Sequence, residues 1–173
     1  MRILASFFVS LDGFVADDDG RPVQLQLPDF AGASSYGLPD LLEHCDAVVM
    51  GRTTFLPAVG APQWPWRQPA FVLTSSPLPD GTPADVTSAP SPAMLLEAME
   101  RNGVSRDVHL VGGPRTVAAF SEIGALAELR LHVVPLLLGS GAPLAPATAA
   151  ARWLSLQATQ SFPDGVVELR YAF

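Results

Sequence analysis

Residues 108–120, VHLVGGPRTVAAF, decide the fold. An apolar run, Val108, Leu110 and Val111, meets Gly112 and Gly113. Pro114 follows, and then a segment able to be helical through Val117, Ala118 and Phe120. The pattern predicts a strand, a tight glycine turn and a helix. Proline at the first helical position sacrifices nothing, because the N–H it lacks would be unpaired there. Glycines without Cβ let a ligand approach the backbone. A helix start attracts an anion through its free N–H groups and its dipole. The turn therefore reads either as a phosphate cradle at the carboxyl end of a parallel strand or as a plain strand-to-helix junction. It carries neither Gly-x-Gly-x-x-Gly nor a closing Gly-Lys-Ser/Thr.

The same junction recurs upstream. Asp46–Met50 is an apolar strand, Gly51 ends it, and Arg52, Thr53 and Thr54 open another helix. Arginine offers a bidentate fork for a phosphate; alternatively Thr53 or Thr54 caps the helix and Arg52 points to solvent. Ala70–Leu73 is a third strand, and the hydroxyl cluster Thr74, Ser75, Ser76 follows it. The first strand, Ile3–Val9, is apolar except for Ser6 and reads as buried on both faces.

Between these pieces, a short helix is predicted over Pro39–His44 and a short strand over Asp85–Thr87. Ser91 caps a helix over Pro92–Arg101, and Asn102-Gly103 ends it. Glu128–Val134 is a further strand. Trp153–Phe162 and Val166–Phe173 form a hairpin about Pro163-Asp164-Gly165. Residues 57–69 read as a loop whose Trp64 and Trp66 either lid the core or line a pocket. Alternating strand and helix builds a parallel sheet with helices on both faces, here ending in an antiparallel edge hairpin. Right-handed crossovers then bring the turns after Val9, Met50, Leu73 and Val111 to one rim. Three anion-friendly turns in a row suit a ligand with several phosphates.

Composition narrows the classes. At 173 residues the chain, residues 1–173, is expected to form one domain with a sizeable core. The net charge of −7 disfavours nucleic acid as a general partner. No apolar run reaches the length that spans a bilayer, and the N-terminus enters a strand at once rather than a secretory signal. The single cysteine, Cys45, forms no internal disulfide and fits a reducing compartment, so a cytoplasmic location is expected. Asp17-Asp18-Asp19 lacks the spaced ligands of a calcium loop and reads as solvated loop; no metal is expected.

In this order, Ser10-Leu11-Asp12-Gly13, Asp46 through Thr54, Leu73-Thr74-Ser75-Ser76, Val111-Gly112-Gly113-Pro114 and Pro135 through Gly141 cover nearly the whole chain. This series resembles the dihydrofolate reductase superfamily, and within it the reductase domain of bacterial riboflavin-biosynthesis deaminase–reductases. The resemblance implies a mixed, mostly parallel sheet of about eight strands and an NADPH-dependent reductase acting on a small, flat heterocycle. It implies that Gly112, Gly113, Arg115 and Thr116 hold the pyrophosphate. Arg52 with Ser75 and Ser76 would take the 2′-phosphate, and Thr53 or Thr54 would touch the cofactor's phosphates. Gly51, Thr74, Val111 and Pro114 belong to the same cofactor-binding turns. Val9, Ser10 and Val15 would border the nicotinamide, with Asp12 and Gly13 shaping the loop over it. A homodimer through the sheet edge is also implied. Two departures separate this chain from the riboflavin enzymes: Val111 stands where they carry an acid, and Leu41-Leu42-Glu43-His44 offers no match for their ribose-phosphate cations.

Hydride transfer also requires a proton. Asp12 is the first candidate to influence its delivery and Asp40 the second, with turn formation the competing role for Asp12. His109 and His132, inside apolar strands, read as hydrogen-bonded structural residues, and Cys45 as an inert packed thiol. A phosphate-binding transferase would need a nucleophile or metal cluster that the chain does not display. A regulatory domain of the same fold, without catalysis, is the alternative to the reductase.

Overall fold

The computed structural model describes residues 1–28, 30, 36–146 and 151–173. The first half of the chain forms β1 (Ile3–Ser10), β2 (Phe14–Ala16), a 3-10 turn at Val23–Gln26, α1 (Leu38–Glu43), β3 (Cys45–Gly51), α2 (Arg52–Val59), β4 (Ala70–Leu73) and β5 (Val86–Ala89). Then come α3 (Pro92–Arg101), β6 (Asp107–Gly112), α4 (Pro114–Glu122), β7 (Leu126–Val134), β8 (Ala142–Pro143), β9 (Ser155–Ser161) and β10 (Val167–Ala172). Eight strands form one sheet in the order β5-β4-β3-β6-β1-β7-β10-β9, and β2 pairs with β8 apart from it. Strands β5 through β7 in that order run parallel, whereas β10 is antiparallel to β7 and β9 antiparallel to β10.

All eight residues of β1 are buried, as a central strand covered on both faces requires. Its odd residues, Ile3, Ala5, Phe7 and Val9, enter the main core with Leu95 and Met99 of α3 and Phe120 of α4. Its even residues face the other way: Leu4 meets Leu41 of α1, and Phe8 meets Val23 and Val134. On that second face Phe55 of α2 covers Val48 and Met50. Each large side chain so buried contributes about 1.5–3 kcal/mol before conformational entropy is set against it. Ser91 accepts the Met94 N–H at 3.3 Å and caps α3 as its sequence predicts. Among the described residues no helix is long and apolar enough to cross a membrane.

Two local features differ from the sequence expectation, and a third settles one it left open. Helix α2 continues through Pro57 to Val59, where a loop is expected. Phe55, fully buried, pins its middle, and the Gly60 and Ala61 N–H groups bond back to the Leu56 and Ala58 carbonyls. The β2–β8 pair is not legible in the sequence, since strands of three and two residues have no period to read. It is held where Gly141 crosses Ala16: a Cβ on Gly141 would lie 2.1 Å from the Ala16 carbonyl oxygen. Trp64 packs edge-on to Phe55, with ring centroids 6.1 Å apart, so the tryptophan pair covers a core cluster.

Candidate dinucleotide-binding site

Because β4, β3, β6 and β1 are parallel neighbours, the turns at their carboxyl ends share one rim. The Thr74 turn comes first, followed in order by the Arg52, Gly112 and Ser10 turns. The two middle turns interlock. The Thr116 hydroxyl of α4 lies against Gly51, so that a Cβ there would sit 2.5 Å from Thr116 Oγ1. The Thr54 hydroxyl of α2 lies against Gly112, 3.1 Å from where its Cβ would be. A glycine at the end of each strand thus leaves room for a threonine of the other junction's helix. The Gly112–Gly113 peptide is cis.

Neither α2 nor α4 has a side-chain cap; Gly51 and Gly113 occupy the cap positions. This corrects the reading of Thr53 or Thr54 as a cap. Two helix N-termini without a side-chain cap therefore lie side by side, each carrying roughly half a positive charge. The Arg52 guanidinium donates to the Pro77 carbonyl at 2.8 Å, which lays it along the Thr74 turn. There the Ser76 N–H donates to Thr74 Oγ1 at 3.1 Å, which spends the threonine oxygen on the turn. Ser75 and Ser76 are exposed, as are Thr53 and Arg115, while Thr116 is buried. No carboxylate occurs in residues 51–54, 74–77 or 112–117. Glycines without Cβ, uncapped helix starts and an arginine beside free hydroxyls form a donor set that fits a phosphorylated dinucleotide.

At the fourth turn, Ser10 donates to Asp12 Oδ1 at 2.6 Å and accepts the Phe14 N–H at 2.9 Å. Asp12 also accepts the Leu138 and Gly139 N–H groups at 3.1 and 2.6 Å. Hydrogen bonds from Ser10, Gly139 and Leu138 hold the Asp12 carboxyl down to about 2. It is ionised at neutral pH, with no proton to donate, and it ties two loops together. That geometry speaks for the turn-forming role and against proton delivery. Asp40 is exposed on α1, and its carbonyl engages His44 Nδ1. The side chains of Val9 and Val15 pack into the main core, which leaves only their backbone for contact with a ring. Val111 and Gly13 are half-buried, and Ser10 is buried at the end of β1.

The sequence does not reveal a cleft of about 350 Å³ beside this turn, lined by residues 26–28, residues 134–136 and Asp164. Nor does it reveal the buried pair behind it. His132 Nε2 lies 3.1 Å from Glu168 Oε2 and 3.2 Å from the Tyr36 carbonyl, and Arg170 Nε donates to Glu168 Oε1 at 2.6 Å. Burial pushes the Glu168 carboxyl up, but hydrogen bonds from His132 and Arg170 outweigh it and bring it down to about 2. The only sequence signal is a glutamate opposite the apolar face of a strand, which ordinarily marks a solvent side. His109 departs from its expected hydrogen-bonded role. Among the described residues neither ring nitrogen has a partner, and burial pushes it down to about 4, so it is neutral. Burial likewise pushes the Cys45 thiol up to about 11, as befits a packed thiol.

The sheet order, the helices on both faces and the glycine rim define an α/β protein of the dihydrofolate-reductase-like class. The chain belongs to the RibD C-terminal domain family, whose model matches residues 2–167. It is 31% identical over 166 residues to the YwjB protein of Bacillus subtilis, covering 94% of this chain and 92% of that one. The crystal structure of a putative riboflavin biosynthesis protein from Shewanella sp. PV-4 superimposes with a TM-score of 0.84 at 24% identity, covering 99% and 98% of the two chains. Dihydrofolate reductase from Enterococcus faecalis, complexed with NADP(H), gives a TM-score of 0.65 at 19% identity, over 99% and 95%. These structural likenesses show the fold.

Proposed function

We propose that this protein is an NADPH-dependent reductase that transfers a hydride to a C=N or C=O carbon of a small, flat heterocycle. The observation that carries the reading is the interlocked pair of uncapped helix starts, flanked by Arg52 and the exposed serines of the Thr74 turn. Membership of the RibD C-terminal domain family and the likeness to a reductase complexed with NADP(H) support it. Gly112, Gly113, Arg115 and the start of α4 would hold the pyrophosphate; Thr53 and the start of α2 would hold the neighbouring phosphate oxygens. Arg52, Ser75 and Ser76 would take the 2′-phosphate. When bound, the reduced nicotinamide supplies the hydride, and the protein supplies position and exclusion of water. Asp12 holds no proton for the acceptor. Its part is to keep the loop at residues 136–139 against the end of β1.

Titration of the protein with NADPH and NADH, followed by the fluorescence of its three tryptophans, tests this reading. NADPH should bind more tightly than NADH. Arg52→Ala should remove most of that preference, costing about 1.5–3 kcal/mol with NADPH and little with NADH, as for a hydrogen bond to a charged group. Unchanged NADPH affinity in the variant would take Arg52 out of the site.

The reading includes a homodimer. Strand β9 is an edge strand whose seven residues are all exposed, with an unpaired backbone row and Leu156 half in solvent. Trp153 just before it is 99% exposed. Sedimentation should give twice the chain mass of 18.3 kDa, and Leu156→Lys should shift it toward the single-chain value. A single-chain mass for the unaltered protein at micromolar concentration would refute the pairing.

A further inference from the structure

Building on the reductase reading, we propose that the hydride acceptor is an uncharged or cationic heterocycle without a phosphate group, bound in the cleft between residues 26–28, residues 134–136 and Asp164. The cleft adjoins the end of β1, where the nicotinamide is assigned. Val134 pairs with Ser10 in the sheet, and the Leu136 carbonyl accepts the Leu11 N–H at 2.8 Å. About 350 Å³ lies at the small end of ligand pockets, room for one fused ring system with a short substituent. Leu27, Val134, Pro135 and Leu136 make its walls apolar. Val134 belongs to the same cluster as Phe8, whose ring stacks on His132 with centroids 4.6 Å apart. The hairpin turn closes the far side, where a Cβ on Gly165 would lie 3.3 Å from Pro135 Cγ.

Charge selects the ligand. Among the described residues the cleft lining contains Asp164 and no cation. The Tyr36 hydroxyl holds the Asp164 carboxyl below the usual carboxylate range, so it is charged at neutral pH. Nearby arginines are engaged elsewhere. Arg21 Nη2 donates to the Leu25 carbonyl at 2.7 Å, Arg170 pairs with Glu168, and Arg130 Nε bonds Glu128 at 2.5 Å. Among the described lining residues a bound phosphate would meet a carboxylate and no guanidinium to offset the repulsion. The arginines assigned to the dinucleotide's phosphates, Arg52 and Arg115, stand at the starts of α2 and α4. Anion recognition is confined to the dinucleotide rim, and the acceptor cleft excludes it.

Riboflavin and flavin mononucleotide are flat, fluorescent and differ only by one phosphate, so they test the charge rule directly. Each is titrated into the full chain, with and without NADP⁺, and followed by flavin fluorescence anisotropy. Riboflavin should bind about tenfold or more tighter than flavin mononucleotide, the like charge on Asp164 opposing the phosphate. Leu136→Trp, which fills the cleft, should abolish riboflavin binding while its melting curve reports a folded chain. Equal or tighter binding of flavin mononucleotide, binding of neither flavin, or riboflavin binding undiminished by Leu136→Trp would each overturn the proposal. Failure of the reductase reading looks different: NADPH would not bind, while the two flavins would still be discriminated.

Discussion

Gly51→Ala should both destabilise the protein, by about 1–3 kcal/mol as overpacked cores do, and weaken NADPH binding. The added methyl would stand 2.5 Å from Thr116 Oγ1, a separation no real Cβ tolerates. Thr116 is 4% exposed and cannot swing into solvent, so the first turn of α4 must retreat from the rim. That movement would separate the two helix starts proposed to hold the phosphates. Thr116→Ala in the same chain removes the obstructing oxygen, and the double variant should regain stability. Such a rescue is the signature of direct contact in a mutant cycle. Gly113→Ala makes a useful contrast, since its Cβ would meet Thr54 Oγ1 at an ordinary 3.8 Å. Urea unfolding of the three variants, followed by tryptophan fluorescence, gives the comparison. A Gly51→Ala protein as stable as the parent would show that the interlock does not hold the rim together.

A loss of about 1.5–3 kcal/mol at neutral pH is expected for Glu168→Gln, the cost of taking the charge from a buried carboxylate that accepts two hydrogen bonds. Glu168 is 3% exposed and serves both His132 and Arg170. Its carboxyl sits at about 2 in the folded chain against an ordinary 4.5. A carboxyl depressed on folding stabilises the native state fully above its unfolded value, and that contribution drains away as pH falls toward its folded value. The parent should therefore lose part of its stability between pH 4.5 and about 2, and the variant should lose less over the same window. Asp12, Asp46, Asp107 and Asp164 are also depressed and keep some acid sensitivity in both proteins, so the difference between the two curves is the quantity to measure. Parallel curves would mean that the Glu168 charge contributes nothing to folding.

Both expectations rest on contacts between residues far apart in the chain, and this is where sequence reading stopped. The strand–glycine–helix junctions at Met50–Arg52 and Val111–Pro114 were legible, because apolar runs, glycine stops and proline at a first helical position are local signals. So was their arrival on one rim, because parallel strands with right-handed crossovers allow no other placement. The pairing of Thr54 with Gly112 and of Thr116 with Gly51 was not legible, since it depends on the register of β3 against β6, which carries a bulge between Val49 and Met50. Glu168 was not legible for a related reason. Alternation in β10 does not say which face is covered, and only the antiparallel register sets Glu168 opposite His132, under Tyr36.

By itself, then, the amino-acid sequence determined the order of elements, the parallel frame and the set of turns able to accept phosphate, because short-range steric and hydrophobic patterns encode these within a few residues. Only the tertiary structure decided which threonine fills the space beside which glycine, that Asp12 clamps a loop instead of holding a proton, and that a cleft without cations opens beside the end of β1. Those outcomes depend on strand register and loop packing over long separations, such as the 127 residues between Asp12 and Gly139, and no local pattern carries that information.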